Sequence, residues 1–147
     1  MQFSNKFTIS IHVIVAIEYF KNDYTITSSF LSKTTGANPV VIRTIMSLLK
    51  DSNIIDISQG KTGISLKRDI SDITFYDIYR SIDILNEEGL FNFHDNPSKE
   101  CPVGRNIHKA LDSYLLDIEK SMELKMKSIT IKDVYNNVLK ELSLENK

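Results

Sequence analysis

The stretch that decides the fold is "GANPVVIRTIMSLLKD", from Gly36 to Asp51, in which helix-boundary residues precede a run with helical spacing. Gly36 suits the left-handed position that ends a preceding helix. Asn38 is a favoured N-cap, and Pro39 is well tolerated at the first helical position. The predicted buried face of the new helix consists of Ile42, Ile45, Leu48 and Leu49. The predicted outward face consists of Val40, Val41, Arg43, Thr44 and Ser47.

The segments on either side complete a recognisable order of parts. Upstream, Thr27 or Ser28 can cap a short helix that ends near Thr35, so that "TGAN" joins two short helices into a helix-turn-helix. Downstream, the β-branched runs 54–57 and 64–66 are separated by "SQGKTG", which predicts a hairpin. A hairpin that directly follows the second helix of a helix-turn-helix is a wing.

The remaining segments predict further helices. The run 3–21 alternates as a strand would, but its length without a turn signal favours a helix. Thr74 begins another helix, with Asp77 as an acidic capping-box partner. A long helix is predicted from about Arg105 to Lys127, and a last amphipathic helix starts at Thr130. The long helix carries an apolar stripe close to a coiled-coil seam, formed by Ile107, Leu111, Tyr114, Ile118, Met122 and Met126.

The predicted fold class is therefore mainly α with a small β-hairpin: a winged helix-turn-helix domain plus a long C-terminal dimerisation helix. The predicted boundaries are 1–85 for the winged domain, 86–106 for a connecting and sensing loop without periodicity, and 107–147 for the dimerisation helices. A length of 147 residues suits one domain, or one small domain with an extended appendage.

The cysteine content and the apolar segments indicate the compartment in which the protein acts. The single cysteine, Cys101, excludes an intrachain disulfide and suits a reducing compartment. The start "MQFSNKF" does not resemble a signal peptide, and the apolar run "ISIHVIVAI" is too short for a membrane span of roughly 20 residues. A cytoplasmic location and no membrane partner are expected.

The charge is distributed unevenly although the formal net charge is only −1. Residues 1–68 hold 8 Lys/Arg and 4 Asp/Glu, a balance of +4, whereas residues 69–147 hold 10 and 15, a balance of −5. The first half therefore suits an anionic partner better than the second half does.

These parts, together with "GANPVVIRTIMSLLKDSNIIDISQGKTGISLKRDISDITFYDIYRSID" and "CPVGRNIHKALDSYLLDIEKSMELKMKSITIKDV", resemble the Rrf2 family of bacterial winged helix-turn-helix transcription regulators. The resemblance implies a homodimer with paired long helices that binds double-stranded DNA. Several members hold an iron–sulfur cluster through three cysteines just before the long helix. This chain has Cys101 alone, which implies the cluster-free branch. It also has Gln59 where many members begin the wing with arginine.

The candidate DNA contacts follow from this arrangement. Val40 and Val41 are able to touch thymine methyls, and Arg43 could read guanine or hold a phosphate. Hydroxyls at a helix start and wing-tip residues suit phosphates. The candidates are Thr27, Ser28, Ser29, Asn38, Val40, Val41, Arg43, Thr44, Gln59, Lys61 and Thr62. The alternative for the outward helix face is an ordinary surface helix.

Cys101 is a candidate redox or electrophile sensor, because a thiol beside a helix N-terminus can have its thiolate favoured. A structural thiol is the alternative. His94, Cys101 and His108 match no standard zinc spacing, so no metal is expected. An aromatic group could line a pocket for a small-molecule effector, with core packing as the alternative: Phe75, Tyr76, Tyr79, Phe91 and Phe93.

The sequence shows no phosphate-binding glycine loop, no helical metal-binding pair and no nucleophile motif, so an enzyme is not expected. The predicted function is a dimeric DNA-binding transcription regulator, a repressor of a roughly palindromic operator that responds to a redox or small-molecule signal. The alternative is a winged-helix module that binds a protein and has lost DNA binding.

Overall fold

The computed structural model describes residues 4–58, 63–82, 90–91 and 93–146. This part of the chain contains six α-helices, one 3₁₀ turn and a two-stranded antiparallel sheet. In chain order these are α1 Asn5–Phe20, α2 Ser28–Thr35, α3 Pro39–Asp51, β1 Ile55–Ile57, β2 Ile64–Leu66, the 3₁₀ turn Ile70–Asp72, α4 Phe75–Ile82, α5 Ile107–Lys127 and α6 Ile131–Glu145. The predicted fold class and the helical interpretation of the first segment are confirmed.

Local caps set the boundaries of the two helices of the helix-turn-helix. The Thr27 side chain accepts a hydrogen bond from the backbone N–H of Phe30 at 3.1 Å, and Gly36 ends α2 with φ 71°. The Asn38 side chain accepts from the N–H of Val40 at 2.8 Å, directly before α3. Each cap is made by the residue type that the sequence predicts for it.

The starts of α4 and α6 are held by two matching capping boxes. Thr74 and Asp77 exchange hydrogen bonds at the start of α4, and Thr130 and Asp133 do so at the start of α6. The two starts lie side by side, because Thr74 and Thr130 form an antiparallel bridge. The Phe75 N–H donates to the Ile129 carbonyl, and the Ile131 N–H donates to the Ile73 carbonyl, both at 2.9 Å.

One hydrophobic core lies among α1 to α4, the hairpin and α6. From α3 it receives Ile42, Ile45, Met46 and Leu49, all buried. The prediction of Leu48 on this face was wrong, since Leu48 is half-buried and Met46 occupies the buried position. Residues 42, 45, 46 and 49 follow the i, i+3, i+4, i+7 pattern of one helix face, which position 48 does not.

The last helix, α6, returns to this core. It packs against α1 and the 3₁₀ turn, and Ile131 is fully buried. Val134, Tyr135 and Val138 pack on the same core while remaining half-exposed. The division into 1–85, 86–106 and 107–147 stays a prediction, and the core draws residues from both sides of its last boundary.

The long helix α5 is different, because none of its 21 residues is buried. It packs along α4, where the Lys127 ammonium lies 4.5 Å from the centre of the Tyr76 ring. Tyr114 is 70% exposed and Ile118 is 52% exposed. Among the described residues, no helix is long and apolar enough to cross a membrane.

Candidate nucleic-acid interface

The start of α2 places side-chain hydroxyl groups at the N-terminal end of the helix. Thr27 lies exposed at the N-cap, Ser29 is exposed and Ser28 is half-buried. The first N–H groups of a helix point out of its N-terminal end, where the helix dipole favours an anion. The three candidate phosphate contacts predicted at this helix start therefore lie together.

The outward face of α3 carries the predicted reading residues. Val40 is 61% exposed, and Arg43 and Thr44 are exposed as well. Asn38 is exposed at the N-cap and uses its amide oxygen for the cap. Val41 differs from the expectation, because it is half-buried and packs against the core. The structure thus leaves Val40 as the exposed valine of the first turn.

An open depression of about 400 Å³ lies on this same face. Its lining comes from α3 alone, from Val40, Arg43, Thr44, Ser47 and Leu48. The Thr44 hydroxyl donates to the Val40 carbonyl at 3.0 Å, one turn earlier in the helix. Leu48 is the lining residue that the sequence prediction missed. The signal for it was its spacing, since positions 40, 44 and 48 recur every four residues along one side of a helix.

The wing is built on a short antiparallel ladder that pairs Ile55 with Leu66 and Ile57 with Ile64. The ladder is joined to the helix-turn-helix, because the Ile64 N–H donates to the Ile26 carbonyl at 2.9 Å. Gly63 has φ 61°, and a Cβ there would lie 2.3 Å from the Ile26 oxygen. The base of the wing is thereby fixed beside the residue that precedes Thr27. The predicted wing-tip contacts Gln59, Lys61 and Thr62 lie outside the described residues.

Cys101 lies exposed in the turn that precedes α5. Its backbone N–H donates to the Ser98 hydroxyl at 3.3 Å. Hydrogen bonds from the backbone N–H groups of Gly104 and Val103 lower the pKa of the Cys101 thiol. A larger share of this thiol is therefore ionised at neutral pH than in an ordinary exposed cysteine.

Two histidines meet near the start of α5. The His94 and His108 ring centres are 5.0 Å apart, and His108 Nδ1 lies 3.1 Å from a carboxylate oxygen of Asp112. This hydrogen bond raises the pKa of His108. Within the described part of the chain, no group of three or more His, Cys, Asp or Glu side chains could hold a metal ion.

Among the aromatic residues considered for an effector pocket, Tyr76 and Tyr79 lie 6.5 Å apart between ring centres, and the other ring contacts are elsewhere. Phe75 packs edge-to-face on Phe7 at 5.9 Å between ring centres, whereas Phe93 lies against His108 at 6.5 Å. Tyr76 lies under Lys127. These contacts resemble ordinary packing at three places.

The six residues of the predicted dimerisation stripe all lie on α5. Tyr114 and Ile118 are exposed at its middle. The other four, Ile107, Leu111, Met122 and Met126, are half-buried. The protomer itself therefore covers the stripe only in part, towards the two ends of α5.

Comparisons with known proteins agree with this geometry. The profile of the Rrf2 family, described as an iron-dependent transcriptional regulator, matches residues 3–137. YwnA of Bacillus subtilis, which carries the designation of an HTH-type transcriptional regulator, is 34% identical over 135 residues, covering 92% of this chain and 98% of YwnA.

Solved structures show the same likeness. A protein described as DNA-binding is 29% identical, with a TM-score of 0.67 over 88% of this chain and 97% of its own. A Lactobacillus plantarum protein shares the fold with a TM-score of 0.73, at 18% identity, over 97% of this chain and 99% of its own.

The iron that the family description names does not fit the residues present. A three-cysteine cluster site needs three thiolates, and the chain has Cys101 alone. That thiol lies exposed in a turn, and its pKa is lowered by backbone N–H groups. The fold, the family profile over residues 3–137 and the relative YwnA agree with one another. The chain belongs to the Rrf2 family of transcriptional regulators.

Proposed function

We propose that this protein is a homodimeric repressor that binds a roughly palindromic operator through α3, with α2 and the wing holding the DNA backbone. The observation that carries the proposal is the two-sided design of α3. Its inner face is anchored by four buried residues, while Val40, Arg43 and Thr44 face outward. A recognition helix needs this combination, because it must be fixed at one angle while its N-terminal turns enter the major groove.

The exposed part of α5 supports the dimer. Tyr114 and Ile118 would lose most of their contact with water against the same face of a second copy. A twofold pairing of this kind sets two recognition helices at a constant separation, so that they meet successive major grooves on one side of the duplex. Occupying the operator would then exclude the transcription machinery.

We propose that the regulator works in the cytoplasm without an iron–sulfur cluster, and that its signal acts on the turn that contains Cys101. The turn lies between the winged domain and α5, and its exposed thiol has a lowered pKa. Diamide would join the Cys101 thiolate to a second thiol, from another copy of the chain or a small thiol, as a disulfide and would itself be reduced to the hydrazine, whereas an alkylating agent would form a thioether. Either product would change the turn that leads into α5. Replacing Cys101 by Ser should abolish the response of reporter expression to diamide. An unchanged response would show that Cys101 is not the group that senses the oxidant.

The main experiment is fluorescence-anisotropy binding to the DNA upstream of the protein's own gene, titrated with salt. Wild-type binding should weaken steeply with salt, since neutralised phosphates release counterions. Arg43→Ala should lose about tenfold or more in affinity, because an arginine that reads a base contributes roughly 1–3 kcal/mol. Lys50→Ala is the matched control: it removes a cation from the last turn of the same helix and should cost less.

The competing function is a winged-helix module that binds a protein. The net charge of −1 and the presence of Gln59 in the wing favour it. It predicts no salt-sensitive binding to any duplex and equal behaviour of Arg43→Ala and Lys50→Ala. Either result would refute the repressor.

A further inference from the structure

We propose that the depression on α3 is a thymine-reading site, in which Val40 and Thr44 contact the 5-methyl group of a thymine in each operator half-site and Leu48 continues the same apolar surface one turn further. The inference rests on the proposed DNA-binding function and names what α3 reads. It assigns Leu48 to the interface and leaves Val41 out of it.

The first argument is the placement of the apolar groups. Val40, Thr44 and Leu48 line one side of the depression, and they follow one another at successive turns of α3. Val40 is 61% exposed at the N-terminal turn, which is the part of a recognition helix that reaches base edges. Val41 packs against the core and is not among the residues that line the depression.

The second argument is the state of the Thr44 hydroxyl. It donates its hydrogen to the Val40 carbonyl at 3.0 Å. An acceptor on a base would have to displace this internal hydrogen bond. The methyl group of Thr44 can contact a base without breaking it. Thr44 therefore acts on this face as an apolar residue, next to Val40.

The third argument is the chemistry of the major groove. Thymine is the one base that displays a methyl group there, and apolar side chains recognise it by contact. The lining offers no carboxamide that could bind adenine in the bidentate manner. Arg43, which also lines the depression, suits the O6 and N7 acceptors of guanine. The expected half-site therefore contains a thymine close to a guanine.

The experiment replaces thymine by deoxyuridine, which removes only the methyl group. A tight-binding duplex is first selected with the full-length protein from a random pool, and each thymine is then replaced in turn. Burying a group of methyl size contributes about 0.8 kcal/mol, so the critical replacement should weaken binding about fourfold per half-site. Val40→Ala should bind the thymine and deoxyuridine duplexes equally.

A matched pair at Thr44 separates the methyl from the hydroxyl. Thr44→Val keeps the apolar group and should retain the preference for thymine. Thr44→Ser keeps the hydroxyl and should lose part of that preference. The position is exposed, so neither change should alter the melting temperature by more than about 2 °C.

Three results would overturn the inference. One is equal affinity of the wild type for every deoxyuridine duplex, and another is a preference that Val40→Ala retains. The third is a preference that Thr44→Val loses and Thr44→Ser keeps. In all three the protein still binds DNA, so the proposed function survives. Failure to select any duplex would instead refute the proposed function and this site with it.

Discussion

Helices α3 and α5 both carry periodic apolar residues, but only α3 has its apolar face buried within the protomer. In α3 the apolar face is covered by the protein itself, with Ile42, Ile45 and Leu49 fully buried. In α5 no residue is buried, and Tyr114 and Ile118 remain exposed. Periodicity thus reveals that a helix has an apolar face, whereas the tertiary structure decides whether its own chain or a partner covers it.

The strongest test of the covered helix is Leu49→Ala. This side chain is fully buried, so its truncation should lower the free energy of unfolding by about 3 kcal/mol through lost burial and a residual cavity. Leu48→Ala, the neighbouring change on the outward side, should cost no more than about 1 kcal/mol. Urea denaturation of both variants measures the difference. Equal losses would contradict the assignment of the two faces.

Gly63→Ala tests the junction between the wing and the rest of the core. The added Cβ would meet the Ile26 oxygen at a positive φ, so we expect a loss of roughly 2 kcal/mol in the free energy of unfolding. Gly36→Ala is its control, because Gly36 has φ 71° but open space around it. It should cost about 1 kcal/mol. A Gly63→Ala variant no less stable than Gly36→Ala would show that the wing base is not held by this contact.

A charge on the exposed apolar face of α5 should weaken the association of two copies of the chain. Ile118→Glu places a charge in the proposed seam and should yield monomers at micromolar concentration in sedimentation. Operator affinity should fall at least tenfold, about 1.4 kcal/mol, because two half-sites are no longer bound together. Ser113→Glu adds the same charge at an exposed polar position of α5 and should stay dimeric. An Ile118→Glu dimer would show that the seam lies elsewhere.

The smallest expected effect concerns the first turns of α5. The hydrogen bond to Asp112 raises the pKa of His108, so its contribution to stability is present below the ordinary pKa of about 6.5 and is lost as pH rises through the folded value. Melting curves at pH 5.5 and 8.5 should therefore show a slightly larger decrease for the wild type than for His108→Gln. Asp112→Asn should behave like His108→Gln. A larger decrease in either variant would reverse the predicted sign.

Much of the fold was predictable because its signals are local. Thr27, Asn38, Thr74 and Thr130 cap helices through atoms only two or three residues away. The residue type at such a position indicates where a helix begins, since side-chain oxygens satisfy the first N–H groups of a helix. Gly36 is an equally direct signal for the end of α2, because its left-handed conformation disfavours other residues.

Two residues of α3 were assigned to the wrong face, Leu48 because residue type was ranked before position. Leu48 is the more typical core residue, but Met46 lies roughly 200° away around the helix and on the buried side. Val41 was placed on the outward face, although it is apolar and the structure has it half-buried. For the candidate site, the sequence identified Val40 and Arg43 but not the depression, because its shape depends on which neighbours the fold turns inward.

Contacts distant in sequence were not predictable at all. Two examples are the bridge between Thr74 and Thr130 and the hydrogen bond between Ile26 and Ile64. In each case the two sequences give no indication that the segments pair. Both contacts depend on the path of the whole chain.

The return of α6 has a consequence for shortened versions of the protein. Ile131 is fully buried, and α6 packs against α1 and the 3₁₀ turn, so the core of the first half of the chain is incomplete without this helix. A fragment that stops before α6 would expose part of that core to water.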